Sequence, residues 1–324
     1  MSRLGLVVNP TSGHGRGRDA GRQAHTAFVA AGHEVLDLSA PTLAQATDAA
    51  RAAALRGLDA LVVVGGDGMT HLGVNVVAQT PLPLGIVAAG SGNDIARVLG
   101  LPVHDVPAAV EAVDRALVEG PRAVDAVRVT TPGRQAAEWF VGVLSCGIDA
   151  AVNARANRLR FPSGTGRYVR ALVSELAAFR PYGYRVSFDD GGTWESSGVL
   201  VAAANTRDIG GGMRIAPSAD PCDGLLDVVT GAGLSRTQLV RLFPTIFRGT
   251  HVRHPAVRVV RTRSVLVDWA PEHGPHPPVA FADGERIGPL PLRAEVVPGA
   301  LAVLLGGLTA PGRGGATQTS PAGT

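Results

Sequence analysis

Asp67 stands inside Gly65-Gly66-Asp67-Gly68, directly after the apolar run Asp59–Val64. Glycines around a polar side chain at a strand end let the backbone come close to a ligand. Two more turns share this texture. Asn9-Pro10-Thr11-Ser12-Gly13 follows Leu4–Val8, and Gly90-Ser91-Gly92-Asn93-Asp94 follows Leu84–Val87. In a parallel sheet all three turns sit at the carboxyl edge, where ligands bind, and the free N–H groups of the following helices attract phosphate. One such turn is no more than a left-handed turn needs. Three at one edge, one of them carrying Asp67, point to a nucleotide.

A competing pattern lies nearby. Gly15-Arg16-Gly17-Arg18-Asp19-Ala20 fits the dinucleotide fingerprint, with Asp37 at a ribose-binding distance downstream. Six residues separate Val8 from Gly15, however, and that fingerprint needs its first glycine at the strand end. Later carboxylates read first as turns: Asp223-Gly224 as a hairpin, and Asp283-Gly284 between Val279–Phe281 and Ile287 likewise. His14, His25, His33 and His71 have no ligand spacing and read as surface residues. Tyr168, Phe179 and Tyr182 read as core.

The elements that must position the glycine turns alternate regularly. After Leu4–Val8 a helix is expected from about Arg18 to Ala31, then a strand over Glu34–Leu38. Thr42 and Gln45 have capping-box spacing ahead of an alanine-rich helix that Gly57 can end. A short helix should run to about Ala78, and one more helix should follow Asp94. Apolar strands between helices predict an α/β fold with a doubly wound parallel sheet over residues 1–121. From Arg122 the texture changes to short strands: Ala123–Thr130, Trp139–Leu144, Tyr184–Phe188, Gly198–Ala204, Leu225–Thr230, Val257–Val260, Val265–Trp269 and Val279–Ala282. Helices are expected only around Thr165–Phe179 and Ser235–Phe247. Residues 122–292 therefore read as a mainly antiparallel, sandwich-like second domain. Residues 293–308 are expected to return toward the first domain, and 309–324 read as a disordered tail.

Composition narrows the chemistry further. The chain has 324 residues, 45% hydrophobic, with 30 basic residues against 27 acidic ones, and every basic residue is arginine. Without lysine, a P-loop, a protein-kinase site and Schiff-base chemistry are excluded. Cys146 and Cys222 make no disulfide framework and no zinc site, and no apolar run approaches the roughly 18 residues of a membrane span. A cytoplasmic protein without a signal peptide is the expectation. Arginines gather where acids are missing: Arg155, Arg158, Arg160, Arg167 and Arg170 in one stretch, and Arg236 to Arg263 in another, between Asp227 and Asp268. Such faces suit an anionic partner or are simply solvated.

With these motifs in order, the sequence resembles the diacylglycerol kinase catalytic-domain family of soluble bacterial lipid kinases, related to sphingosine and ceramide kinases. Gly65-Gly66-Asp67-Gly68 is similar to its G-G-D-G signature, shared more loosely with NAD kinases and phosphofructokinases. Gly90-Ser91-Gly92-Asn93-Asp94-Ile95-Ala96-Arg97 resembles its G-T-G-N-D-F-A-R. Gly210-Gly211-Gly212, Ala216-Pro217, Asp223-Gly224-Leu225-Leu226-Asp227 and Asp283-Gly284-Glu285 complete the ordered set. Where the family usually has Thr and Glu after the signature, this chain has Met69 and Leu72.

The resemblance implies ATP on Asn9, Pro10, Thr11, Ser12, Gly13, Gly65, Gly66, Asp67, Gly68 and Ser91, with Asn93 and Asp94 in the same site. It implies Asp67 helping to hold the catalytic magnesium (Mg2+), and a structural magnesium on Asp223 with backbone oxygens of Asp220 and Leu225. It implies Glu285 as general base. These roles suit phosphoryl transfer, which is mostly positioning and charge neutralisation. The expected reaction moves the γ-phosphoryl group of ATP to diacylglycerol or a related lipid. The alternatives are an NAD kinase-like enzyme and a silent nucleotide- or lipid-binding module. Expected partners are that lipid and an anionic membrane touched peripherally, with no nucleic acid; homodimerisation stays open.

Overall fold

The computed structural model describes residues 1–134, 136–158, 170–171, 174–176 and 179–306. The helix expected over Thr165–Phe179, for most of its length, lies outside the described residues, as do Arg160, Arg167, Tyr168 and the segment from Thr309. The chain is a mixed α/β protein. It begins with β1 (Arg3–Val8), α1 (Arg16–Ala30), β2 (Glu34–Asp37), α2 (Leu43–Leu55), β3 (Ala60–Gly65), α3 (Asp67–Val77), β4 (Leu84–Ala88), α4 (Asp94–Val98) and α5 (Val106–Glu119). Strands β2, β1, β3 and β4 pair in parallel in that order. Alternation along β3 sends Leu61 and Val63 to one face, with Ala46, Ala50 and Leu72 of α2 and α3. Val62 and Val64 go to the other face, with Ala24, Phe28 and Val113 of α1 and α5. Thr42 caps α2 by accepting the Gln45 N–H at 3.2 Å. The single helix expected after β4 is broken in two, because Gly100 turns left-handed at φ +73° ahead of Pro102.

The rest is β5 (Arg122–Thr130), β6 (Glu138–Phe140), β7 (Val143–Gly147), α6 (Ile148–Arg158), β8 (Tyr182–Phe188), β9 (Thr193–Ala204), β10 (Leu226–Ala232), α7 (Arg236–Ile246), β11 (Val257–Thr262), β12 (Ser264–Trp269), β13 (Ala280–Ala282), β14 (Glu285–Gly288) and β15 (Leu292–Val303). These strands pair antiparallel around a core that includes Phe140, Leu144, Tyr184, Val201 and Val267. Strand β15 joins the two regions. Its start pairs with β12, its length with β5, and its last residue, Val303, pairs in parallel with Leu84 of β4. The strand expected over Trp139–Leu144 is interrupted at Val141-Gly142, whose N–H groups point to Asp283 instead of a strand neighbour. Helix α6 and strand β14 carried no clear periodicity and were not expected. Phe179 is a core residue as read; Tyr182 is half-buried and packs edge to face against it, ring centroids 5.9 Å apart.

Candidate active site

The three glycine turns meet in space at the carboxyl edge of β1, β3 and β4. Asn9 shapes the first: its Oδ1 accepts the Thr11 N–H at 3.0 Å and the Thr11 hydroxyl at 2.8 Å, and its carbonyl accepts the Ser12 hydroxyl at 3.0 Å. Gly13 is left-handed, and a Cβ there would lie 2.3 Å from the Ala89 carbonyl oxygen. The first turn thus leans on the third. The third is braced from within, since Asn93 accepts the Gly90 N–H at 3.0 Å and donates to the Gly90 carbonyl at 2.8 Å. A Cβ on Gly90 would lie 2.3 Å from Gly66 Cα, so the second and third turns touch backbone to backbone. Pro10, Thr11 and Ser91 remain exposed over this junction, while Gly65 and Asp94 are buried. Gly15, by contrast, caps α1 seven residues after β1 ends at Val8, so the dinucleotide fingerprint lacks its strand-end geometry.

Asp67 opens α3, and its Oδ1 accepts the Ile95 N–H at 3.1 Å. Burial, then the negative charge of Asp94, raises its pKa to about 6. A Cβ on Gly92 would fall 2.6 Å from Asp67 Oδ2, so that glycine makes room for the carboxylate. A partly desolvated carboxylate crowded by other acids fits a divalent cation, which would relieve both penalties. Asp94 is engaged elsewhere: one oxygen pairs with Arg97 at 3.0 Å, the other accepts the Gly211 N–H at 2.6 Å. The Gly210–Gly212 turn of the second region thereby docks on the third glycine turn.

Glu285 reaches this place from the other side. It begins β14 after the Asp283-Gly284 turn, and a Cβ on Gly68 would lie 2.6 Å from Glu285 Oε1. The base candidate and Asp67 therefore flank the same stretch of backbone. Asp283, left-handed at φ +53°, points away and accepts the N–H groups of Val141 at 3.1 Å and Gly142 at 2.9 Å. Its other contact is His71 Nδ1 at 3.4 Å.

His71 was read as a surface residue, as was His33; the structure corrects both. The His33 side chain is largely covered and meets Asp114 at 2.8 Å. The His71 side chain, 5% exposed, lies between Asp283 and Glu138, whose Oε1 is 3.4 Å from Nε2. Burial lowers its pKa, but hydrogen bonds from Asp283 and Glu138 more than offset that and raise it to about 9. Met69 and Leu72, the two departures from the family pattern, are core residues at 4% and 2% exposure. Neither faces the carboxylates, so their substitution alters packing under the site rather than its charged surface.

The loop from Asp220 to Leu225 is separate. Asp223 Oδ1 accepts the Leu225 N–H at 2.9 Å, and Oδ2 pairs with Arg261, which also bonds Asp227 at 3.2 Å. Asp220 accepts the Cys222 N–H at 3.0 Å. Both oxygens of Asp223 have donors and the guanidinium supplies the positive charge, so this donor set does not fit a magnesium ion as it stands. Asp125 secures the same loop, accepting the Gly224 and Gly299 N–H groups at 2.8 Å each.

Two family models match the chain in succession. Residues 3–129 match the diacylglycerol kinase catalytic domain, and residues 142–305 match the YegS C-terminal NAD kinase beta sandwich-like domain. The diacylglycerol kinase of Mycobacterium tuberculosis is 39% identical over 309 residues, covering 94% of this chain and 95% of that protein. This chain belongs to the diacylglycerol kinase family. It is a lipid kinase, which sets aside the NAD kinase-like and silent-module alternatives. A probable lipid kinase YegS-like protein of Stenotrophomonas maltophilia is 29% identical, covering 75% of this chain and 77% of that protein. A putative diacylglycerol kinase from Bacillus anthracis has the same fold, with a TM-score of 0.70 at 20% identity over 94% of this chain and 97% of that one. Among the described residues of the kinase, no helix is long and apolar enough to cross a membrane.

Proposed function

We propose that this lipid kinase transfers the γ-phosphoryl group of ATP to the hydroxyl of diacylglycerol or a closely related lipid. The observation that carries the reading is Glu285 lying over Gly68, the residue next to Asp67, beside three interlocked glycine turns. The turn Asn9–Gly13, exposed at Pro10 and Thr11, and the exposed Ser91 bind the nucleotide phosphates. Glu285 accepts the proton of the lipid hydroxyl as its oxygen bonds to the γ-phosphorus and the bond to the β-phosphate oxygen breaks. Magnesium, held through Asp67, neutralises phosphate charge when bound. No lysine is present, so arginine and backbone N–H groups supply the remaining positive potential. The experiment is a radiolabelled ATP assay against diacylglycerol, sphingosine, ceramide and NAD, with Asp67→Asn alongside. Label in phosphatidic acid with wild-type protein, mostly lost in the variant, is the expected result. Label on sphingosine or ceramide alone would overturn the acceptor.

The reading extends to a membrane contact. Helix α7 exposes Val240 and Phe247, at 56% and 49%, next to exposed Arg241 and Arg248. The surrounding sequence from residue 228 to 267 holds no acid. An apolar ridge flanked by arginines fits the surface of an anionic bilayer, from which a lipid kinase draws its acceptor.

A further inference from the structure

One face of α3 contributes to the joint between the two regions, alongside β15 and the Gly210–Gly212 turn. Asp67 sits at the start of this helix, and His71 and Asn75 follow at successive four-residue steps. Asn75 fastens the helix to the free edge of β6: its amide donates to the Trp139 carbonyl at 2.8 Å and accepts the Trp139 N–H at 2.9 Å. His71, one turn closer to Asp67, bridges Asp283 of the β13–β14 turn and Glu138 of β6. Behind Glu138 stands Arg134, which bonds Glu138 at 2.7 Å and the Ile287 carbonyl of β14 at 3.0 Å. The chain of contacts therefore closes a loop around the strand that begins with Glu285. Asp283 grips the turn before Glu285, Arg134 grips the strand after it, and His71 ties both to the helix that begins with Asp67.

We infer that His71 is a positioning residue, holding the Glu285 hairpin against the Asp67 end of α3 through Asp283 and Glu138. This rests on the reading of Glu285 as base. His71 touches neither Asp67 nor Glu285 by any bond described, so its effect on turnover runs through the hairpin. The charged groups facing the ring are Asp283 from the turn and Glu138 from β6, with Arg134 behind Glu138. A neutral side chain at position 71 would leave two carboxylates facing each other's charge across the gap. The hairpin would then be free to swing, and a misplacement of about 1 Å costs on the order of 10²-fold in rate.

The test is a double-mutant cycle of His71→Asn and Glu285→Gln, with turnover, lipid KM and ATP affinity measured, and circular dichroism confirming the fold. His71→Asn is expected to lower turnover by on the order of 10²-fold while ATP affinity stays unchanged. Combined with Glu285→Gln, it should add little further loss, because both act on the same proton transfer. Glu138→Gln, at a half-covered site, should reproduce a smaller loss of the same kind and stands in should His71→Asn fail to fold. Turnover unaffected by His71→Asn, or by Glu138→Gln in its place, overturns the inference. So does a double variant whose loss is the product of the two single losses. Full turnover in Glu285→Gln overturns the base assignment instead, whatever the His71 variants do.

Discussion

Glu285 lies so close over Gly68 that a single methyl group on Gly68 would come within 2.6 Å of its Oε1. Gly68 is the second residue of α3 and does not have a left-handed backbone, so alanine there is compatible with the helix. Alanine is favoured over glycine inside helices by about 1 kcal/mol. The clash is with the end of a flexible side chain, which can turn aside. Gly68→Ala should therefore leave thermal stability unchanged or raised and yet lower turnover by about tenfold or more. Retained turnover together with raised stability would show that Glu285 does not need its present position.

The two carboxylates of the β13–β14 turn should separate cleanly. Asp283 accepts two backbone N–H groups and contacts His71, so Asp283→Asn removes a charge from a closed structural network. It is expected to lower the melting temperature and, through the lost His71 contact, to lower turnover by less than the Glu285 change does. Glu285→Gln keeps size and hydrogen bonding but cannot take a proton, so turnover should fall by on the order of 10²–10⁴-fold with ATP affinity unchanged. Abolished turnover in Asp283→Asn with a normal melting curve, beside an active Glu285→Gln, would reverse the roles.

Those two carboxylates also mark what the sequence reveals. The glycine turns were legible because each is local, with the strand, the glycines and the helix start close together in sequence, and parallel topology brings the turns to one edge. The His71 contacts were not, because Glu138 is 67 residues away and Asp283 is 212 residues away. A lone histidine on a helix gives no local sign of such partners. Arg261 escaped for the same reason, since it meets Asp227 only through the β10–β11 register. One helix was expected after Asp94 where two stand, because the break lies in one left-handed glycine, Gly100.

Arg261 leads to a prediction on metal removal. With its guanidinium on Asp223 and Asp227, the loop 220–225 needs no external cation. Chelation by EDTA should leave the melting temperature of the nucleotide-free protein unchanged. Arg261→Gln would leave Asp220, Asp223 and Asp227 without their cation, so it should lower the melting temperature, and added magnesium should restore part of it. A rise of several degrees on adding magnesium that persists in Asp67→Asn and is lost in Asp223→Asn would show that the loop binds the ion after all.

His71 makes stability depend on alkaline pH. Its folded pKa is raised to about 9, above the ordinary 6.5, so its protonated form is favoured by folding. That contribution is complete below 6.5 and is lost as pH rises through about 9. The difference in melting temperature between wild type and His71→Gln should therefore shrink as pH rises from below 6.5 through about 9. Parallel curves over that range would mean that His71 is not charged in the folded protein.

The α7 face should decide membrane affinity. Arg241 and Arg248 are exposed beside Val240 and Phe247, and among the described residues neither arginine has an ion-pair partner. Each arginine near an anionic surface contributes about 1 kcal/mol, and the attraction is screened over a Debye length of about 8 Å at physiological ionic strength. Cosedimentation with vesicles should thus rise with the fraction of anionic lipid and fall as salt is added. Arg241→Glu with Arg248→Glu should weaken binding to anionic vesicles and lower turnover on vesicle-borne lipid. Turnover on lipid dissolved in detergent micelles should not change, because the substitutions lie outside the Asp67–Glu285 site. Phe247→Ser should weaken binding at every salt concentration, since burial of its ring does not depend on charge. Equal binding of the wild type to neutral and anionic vesicles would sink the assignment of this face.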